Sequence, residues 1–298
     1  MTKEFVEATF RELQNEIIAQ LETADGKGKF RRDSWEHKDG GGGISCIIEK
    51  GNILEKGGVN FSAVNGRLSD KMSKALEIGA GEFFATGVSI VLHPDNPHVP
   101  IIHMNIRYFE METGEYWFGG GIDLTPHYIV PEQAKHFHQT LKGVCDRHDR
   151  SFYSRFKTWA DNYFYIPHRE ETRGVGGIFF DRLNDKTTEH SKEELFSFVM
   201  DIGRSFAPLY TGFMSESAGK SFSESEKKWQ LLRRGRYVEF NLVYDRGTKF
   251  GLETGGRIES ILMSLPQHAS WQYNFIPEKE SAEAFTLQHL KKDINWLA

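Results

Sequence analysis

The sequence predicts an α+β fold built around an antiparallel β-sheet. Strand-like segments come in runs and helix-like segments come in runs, without a regular alternation of the two. A parallel, doubly wound sheet requires that alternation, because parallel strands are usually joined through a helix. The 298-residue chain shows no internal repeat and no long linker. We therefore expect one domain over residues 1–298.

Period-two alternation of apolar residues predicts the strands. Val88–Leu92 and Ile102–Tyr108 each place apolar side chains on one face and polar ones on the other. Tyr237–Asp245 shows the same alternation, and Tyr116–Leu124 is a further strand interrupted by glycines. Ile44–Glu49, which follows a run of four glycines, completes the predicted set.

Apolar residues at helical spacing predict an amphipathic helix from Lys3 to about Leu21. Gly57 and Gly58 are expected to interrupt regular structure, and a helix is predicted for Leu68–Ile78. Further helices are expected at Pro131–Asp146, Arg150–Tyr163, Lys192–Ser205, Glu224–Leu232 and Ser281–Trp296.

The composition is that of an ordinary globular protein, with 39% hydrophobic and 27% charged residues. A net charge of −5 disfavours nucleic-acid binding, which usually needs a basic excess. Cys46 and Cys145 lack metal-binding spacing and are expected to be buried free thiols. The acidic N-terminus lacks the apolar core of a signal peptide, and no apolar run approaches a membrane span. We expect a cytoplasmic protein without a membrane span.

The strand Ile102–Tyr108 carries the most informative polar face. His103, Asn105 and Arg107 are two residues apart and therefore point to the same side of the sheet. Ser89 and His93 share the polar face of the strand that precedes it. Such a face is either the solvated side of an antiparallel sheet or the floor of a polar pocket.

Glycine runs allow two interpretations. Gly119–Gly121, followed by Asp123, marks either a bulge against a neighbouring strand or the close approach of a flat ligand to the backbone. Neither this run nor Gly40–Gly43 continues into a phosphate-binding loop. Gly174–Gly177 precedes the strand-like Ile178–Phe180 and not a helix, which disfavours dinucleotide binding.

Histidines and arginines supply two further candidate sites. A metal site made of His93, His103, His138 and His168 is conceivable, although no HExxH motif occurs and hydrogen-bonded histidines are the simpler interpretation. Arginine binds carboxylates through a planar fork, so arginines beside glycine-rich segments would suit a flat polyanion. The arginines concerned are Arg169, Arg173, Arg233, Arg234, Arg236, Arg246 and Arg257.

Six long segments carry the most specific indication of function. They are GGGGIS (Gly40–Ser45), EKGGVNFSAVNG (Glu55–Gly66), TGVSIVLHPDNPHVPIIHMNIRYF (Thr86–Phe109), WFGGGIDLTP (Trp117–Pro126), FKTWADNYFYIPHREETRGVGGIFFD (Phe156–Asp181) and RRGRYVEFNLVYDRGTKFGLETGGRIESILMSLP (Arg233–Pro266). In order and content they resemble the oxygen-dependent coproporphyrinogen III oxidase family, in its bacterial form. The resemblance covers nearly the whole chain.

The resemblance implies a large flat antiparallel sheet flanked on both faces by helices, and a homodimer. It also implies oxidative decarboxylation of the ring A and ring B propionates of coproporphyrinogen III to vinyls. Dioxygen is the co-substrate, and protoporphyrinogen IX, CO2 and H2O2 are the products. No organic cofactor is implied. The apolar segment Glu259–Pro266 is expected to contribute to the dimer interface.

The resemblance also implies roles for individual residues. His103 matches a proton donor, and Arg107 and Asp123 match a pair assigned to substrate binding and catalysis. Residues that match the substrate site are Ser89, Asn105, Ile106, Arg107, Gly255, Gly256 and Arg257. Ile106 points to the apolar face and is expected to contribute only its backbone. The four histidines His93, His103, His138 and His168 match proposed ligands of a divalent metal.

These roles fit a reaction in which the electron-rich macrocycle itself reduces dioxygen. Asp123 would accept hydrogen bonds from pyrrole N–H groups or act as a base, while Arg107 and Arg257 would hold propionates. Metal-assisted activation of oxygen is the alternative mechanism. Two other functions compete: a porphyrin carrier without catalysis, and a mononuclear metal hydrolase built on the four histidines. A carboxylate beside a triple glycine favours the enzyme over the carrier, because a carrier needs no carboxylate at the centre of the macrocycle.

Overall fold

The structure is a computed structural model that describes residues 1–69, 73–74, 78–253 and 256–298. Its centre is a seven-stranded antiparallel sheet whose strands lie side by side in the order in which they occur in the chain. These strands are β1 (Arg31–Glu36), β2 (Gly41–Glu49), β3 (Leu54–Arg67), β4 (Glu82–Pro94), β5 (Ile101–Met111), β6 (Tyr116–Thr125) and β9 (Gly176–Leu183). Two short strands, β7 (Tyr165–Ile166) and β8 (Glu171–Thr172), pair separately. The predicted α+β class with an antiparallel sheet is confirmed.

Helices lie on both faces of the sheet. They are α1 (Lys3–Asp25), α2 (Pro131–His148), α3 (Phe152–Tyr163), α4 (Lys192–Ser217), α5 (Glu224–Val243), α6 (Arg246–Glu253), α7 (Ile258–Leu262) and α8 (Ala282–His289). On one face α1 packs against β3 and β4, and α4 packs against β5 and β6. On the other face Tyr237 of α5 contacts His93 of β4. None of the helices in the described ranges is long and apolar enough to cross a membrane.

The apolar face of β4 and β5 builds the core with α1 and α4. Val88, Ile90 and Ile106 are fully buried there. Gly203 allows α4 to pack closely against α1 and β5, since a Cβ at this position would lie 2.6 Å from Leu13 Cδ2 and 3.1 Å from Ile106 Cδ1. The Ile106 side chain thus belongs to the core, and its polar neighbours point to the opposite face.

The predicted strand Tyr237–Asp245 is wrong, because residues up to Val243 belong to helix α5. Ser223 and Glu226 form a capping box that starts this helix. Tyr237, Phe240 and Asn241 are buried at helical spacing, so the apparent alternation of the segment is one face of a helix. The helix predicted for Glu224–Leu232 is correspondingly longer.

Other boundaries also differ from the prediction. Strands β1 and β3 were not predicted, and Gly57 and Gly58 lie inside β3 instead of interrupting it. Helix α4 continues to Ser217, whereas the C-terminal helix ends at His289 and not at Trp296. The helix predicted for residues 68–78 lies partly outside the described residues.

Candidate active site

A row of polar side chains crosses the sheet on the face opposite the core. The strand register places Asp33, Ser45, Asn60, Ser89 and Asn105 directly opposite one another on β1 to β5. Ser45 Oγ donates a hydrogen bond to Asn60 Oδ1 at 2.8 Å. Side chains opposite one another in register share one face of a sheet. The predicted polar face of β4 and β5 is therefore part of a continuous polar floor.

Glycines keep part of this floor free of side chains. Gly87 and Gly119 flank Arg107 on the two neighbouring strands, and Gly121 lies opposite Asn105. A Cβ on Gly87 would lie 2.7 Å from the Ile106 carbonyl oxygen, and one on Gly121 would lie 2.9 Å from the Ile178 carbonyl oxygen. Gly87 leaves bare backbone beside Arg107, which a flat ligand could approach, whereas the space over Gly119 is taken by side chains of the site.

His103, Asp123 and Arg173 form one buried network beside this floor. His103 and Asp123 are opposite each other on β5 and β6, and His103 Nδ1 donates to Asp123 Oδ1 at 2.8 Å. Arg173 donates to Oδ1 from Nη2 at 2.6 Å and to Oδ2 from Nε at 3.1 Å. Asp123 exposes 1% of its side chain and His103 exposes 20%. Of His103 and Asp123, the histidine is the more exposed, and its hydrogen bond to the carboxylate uses Nδ1 and not Nε2.

The surroundings of Asp123 keep it ionised. Burial alone would raise its pKa, but the Arg173 guanidinium and the hydrogen bond from His103 lower the pKa below its usual value. Burial would likewise lower the pKa of Arg173, and Asp123 raises it. The Arg173 guanidinium also lies over the rings of Phe164, Tyr237 and Phe240, with Cζ 4.5, 4.7 and 4.7 Å from their centroids. An ionised Asp123 fixes the His103 ring with Nδ1 protonated.

The two arginines expected to hold propionates both lie on the polar face. Arg107 donates to Asn105 Oδ1 from Nη1 and to Asp181 Oδ1 from Nη2, both at 2.8 Å. Arg257 donates from Nη2 to Asp33 Oδ2 at 2.6 Å. Its Nη1 reaches the hydroxyl groups of Ser45 and Ser260 at 3.2 and 3.1 Å. Arg257 thereby links the start of α7 to β1 and β2.

The remaining residues of the predicted substrate site lie either on the polar floor or next to Arg257. Ser89 and Asn105 lie on the polar floor. Gly256 directly precedes Arg257, and its N–H donates to the Gly251 carbonyl at 2.8 Å. Gly255 lies outside the described residues.

The four histidines predicted as metal ligands are not brought together in one group within the described chain. His138 uses both ring nitrogens, with the Tyr153 hydroxyl at 3.0 Å and the Val175 carbonyl at 2.9 Å. His168 does the same with Tyr244 and Glu239. His93 donates through Nε2 to the Ser264 carbonyl at 2.8 Å, and burial lowers its pKa to about 3. Within the described residues, no three His, Cys, Asp or Glu side chains are grouped so that they could hold a metal ion.

Three residues of the site were not predicted as site residues. The sequence indicates Arg173 only as one of several arginines, and it gives no indication that Asp181 or Asp33 belongs to the site. Their partners lie 50, 74 and 224 positions away in the sequence. Of the three, only Arg173 carried a usable signal, as an arginine next to the glycines at 174–177.

Comparison with known proteins assigns the family. Residues 5–296 match the family model described as coproporphyrinogen III oxidase. The oxygen-dependent coproporphyrinogen-III oxidase of Drosophila melanogaster is 49% identical over 98% of this chain and 77% of its own length. The mitochondrial human enzyme of that name is 49% identical over 98% of this chain and 66% of its own length. That of Prochlorococcus marinus is 46% identical over 96% and 88%. The chain belongs to the coproporphyrinogen III oxidase family.

Proposed function

We propose that the protein catalyses the oxygen-dependent oxidative decarboxylation of coproporphyrinogen III to protoporphyrinogen IX in haem biosynthesis. The relatives described above are named oxygen-dependent coproporphyrinogen-III oxidases. The observation that supports it most strongly is the position of His103, which is held by a buried carboxylate and lies four residues from Arg107 on the same face of β5. A flat tetrapyrrole with anionic side chains matches bare backbone next to arginines.

The reaction at each propionate balances without an organic cofactor. R–CH2–CH2–COO⁻, O2 and one proton give R–CH=CH2, CO2 and H2O2. The substrate loses two electrons, a β-carbon hydrogen and its carboxylate, and dioxygen accepts the electrons and two protons. The macrocycle is electron-rich enough to begin this transfer once a pyrrole N–H proton is removed.

His103 is the proposed proton-transfer group. Its Nδ1 donates to Asp123, so the ring is held in one tautomer and orientation and Nε2 is left as the nitrogen that can exchange a proton with the substrate. Asp123 is proposed to act through His103, by stabilising the positive charge when Nε2 takes up a proton. Direct hydrogen bonds from pyrrole N–H groups to Asp123 would require this buried carboxylate to become exposed.

Arg107 and Arg257 are the proposed propionate ligands, with Ser89, Asn105, Gly256 and the Ile106 backbone beside them. Fixing a carboxylate orients the neighbouring carbon toward dioxygen. No step is assigned to a divalent metal, because His138 and His168 each use both ring nitrogens in other hydrogen bonds.

We also propose a cytoplasmic homodimer in which residues 1–298 form a single domain. Exposed apolar side chains occur before and after the segment Glu259–Pro266 in the chain, on helices α5 to α7 and beyond them, and we expect a second copy to cover them. They are Leu242, Val243, Phe250, Leu252, Ile258, Trp271, Tyr273 and Ile276. Light scattering across micromolar concentrations should give twice the mass of 34.2 kDa, and a constant monomer mass would contradict this.

Product analysis separates the enzyme from the two alternatives. Coproporphyrinogen III is incubated aerobically with the protein, and the tetrapyrroles are oxidised and separated. The proposal predicts protoporphyrin in catalytic amounts. A carrier would return bound coproporphyrin only, and a metal hydrolase would leave all four propionates intact.

A further inference from the structure

Both arginines proposed to bind substrate already contact a carboxylate of the protein. Arg107 Nη2 donates to Asp181 Oδ1 at 2.8 Å, and Arg257 Nη2 donates to Asp33 Oδ2 at 2.6 Å. Each arginine therefore makes, within the chain, the kind of contact that a propionate would make. Neither aspartate is part of the His103–Asp123–Arg173 network.

The Arg107–Asp181 pair is open to solvent. Arg107 exposes 35% of its side chain and Asp181 exposes 34%. The contact uses one oxygen of the carboxylate and one nitrogen of the guanidinium. Arg107 Nη1 also donates to Asn105, which would hold the guanidinium in place if Asp181 released it. This geometry suits an ion pair in which the carboxylate of a ligand can replace that of Asp181.

Gly119 provides the space in which this pair forms. A Cβ at Gly119 would lie 2.6 Å from Asp181 Oδ1, 2.7 Å from Arg107 Nε and 2.8 Å from Arg107 Cζ. Any larger residue at this position would force the two side chains apart or away from the floor. The glycine of β6 thus permits the contact between Arg107 and Asp181.

Arg257 and Asp33 form a similar pair at the side of the floor built by β1 and β2. Arg257 lies over Ser45 of β2, whereas Arg107 is bonded to Asn105 of β5. Three strand spacings separate these positions, or about 14 Å. Two arginine–carboxylate pairs therefore lie at opposite ends of the polar floor that runs from β2 to β5, as two propionates of one flat macrocycle require.

We propose that Asp181 and Asp33 are internal competitors for the substrate, which occupy the two arginines until propionates displace them. This proposal rests on the proposed function, because it takes a tetrapyrrole polycarboxylate as the ligand. Each aspartate weakens binding, because a propionate must replace an existing ion pair. The arginines bind tightly only a ligand with carboxylates spaced to displace both aspartates at once. A single carboxylate gains little from either arginine.

The test replaces each competitor with an amide. Asp181→Asn retains an oxygen that accepts from Arg107 Nη2 but removes the competing charge. We expect the KM for coproporphyrinogen III to fall about fivefold, the factor equivalent to about 1 kcal/mol for a partly exposed ion pair. Asp33→Asn should act similarly at Arg257, and the double variant should show the product of the two factors, since the sites are far apart. If Asp181 instead only positions Arg107, KM will rise, and the proposal is overturned.

A matched control variant and a binding assay separate an effect on substrate binding from an effect on turnover. Asp201 is also a partly exposed partner of an arginine, Arg147, but lies on helix α4 away from the floor. Asp201→Asn should leave KM unchanged. Quenching of oxidised coproporphyrin III fluorescence gives a dissociation constant without turnover and should show the same fivefold tightening. Unaltered or weaker porphyrin binding in Asp181→Asn contradicts the competitor role, whereas a wild-type protein without turnover contradicts the proposed function itself.

Discussion

His103 Nδ1 donates to Asp123 Oδ1 across adjacent strands, and the same oxygen accepts from Arg173 at 2.6 Å. One buried carboxylate therefore orients a partly exposed histidine and balances a buried guanidinium. The contact with His103 affects the rate of proton transfer, whereas the contact with Arg173 affects the free energy of unfolding. Substitutions at the three residues can separate them.

Asp123→Asn should impair both tasks. We expect turnover to fall by about 10² or more, the scale of a lost general base, because His103 loses its charged partner. Arg173 would remain buried without a counter-ion, so the free energy of unfolding should fall by about 3 kcal/mol. Single-turnover kinetics and urea unfolding measure the two effects. Turnover equal to that of the wild type would remove Asp123 from the mechanism.

Arg107→Lys should not preserve function, although it preserves charge. Lysine lacks the planar fork that contacts Asn105 and Asp181 together. We expect kcat/KM for coproporphyrinogen III to fall at least about tenfold, equivalent to about 1.4 kcal/mol of transition-state stabilisation. The Lys142→Arg variant serves as the control, because Lys142 pairs with Asp146 on its own helix α2 and not with a residue of the floor. Undiminished efficiency in Arg107→Lys would argue against a forked propionate ligand.

Glu239→Gln should lower stability in a pH-dependent manner. Burial alone would raise the Glu239 pKa, but Arg169, His168 and Trp271 bond to its carboxylate and lower the pKa to about 2. A carboxyl group with a lowered pKa stabilises the fold above its unfolded pKa of about 4.3, and this stabilisation is lost as the pH falls toward 2. Urea unfolding should show the variant less stable at pH 7, with the difference disappearing near pH 2. A difference that does not change with pH would contradict the prediction.

Chelation should not inactivate the protein. His138 and His168 use both ring nitrogens, and His168 is partly exposed and bonded to Glu239. We expect turnover after dialysis against EDTA to stay within about twofold of the untreated protein, because no lone pair is free at these two residues. His168→Asn should retain turnover to a similar extent. Loss of activity on chelation, restored by a divalent metal, would favour the metal-assisted mechanism.

The sequence predicted the central strands well, because their alternation reflects real burial. Residues on one face of β5 are buried in the core, and His103, Asn105 and Arg107 share the other. The error at Tyr237–Asp245 has the opposite cause. Aromatic and branched residues favour strands, yet tertiary packing placed Tyr237 and Phe240 on one side of a helix. Strand β1 was missed because it contains mainly exposed polar residues and therefore lacks an apolar pattern.

The partners of the site residues could not be predicted from local patterns. Arg173 reaches Asp123 from a loop, and Asp33 reaches Arg257 from an edge strand. Such contacts depend on how distant segments pack, and loops carry no periodic signal. The sequence identified Asp123 and Arg107 as candidates but gave no sign that each already has a charged partner.

Simultaneous measurement of oxygen uptake and CO2 release tests the central claim most directly. Coproporphyrinogen III is supplied to the protein in an oxygen electrode, with the CO2 collected and the tetrapyrrole products identified. The account predicts one O2 consumed for each CO2 released, no turnover of the fully oxidised porphyrin, and no reaction under nitrogen. Equal rates of CO2 release with and without dioxygen would contradict it.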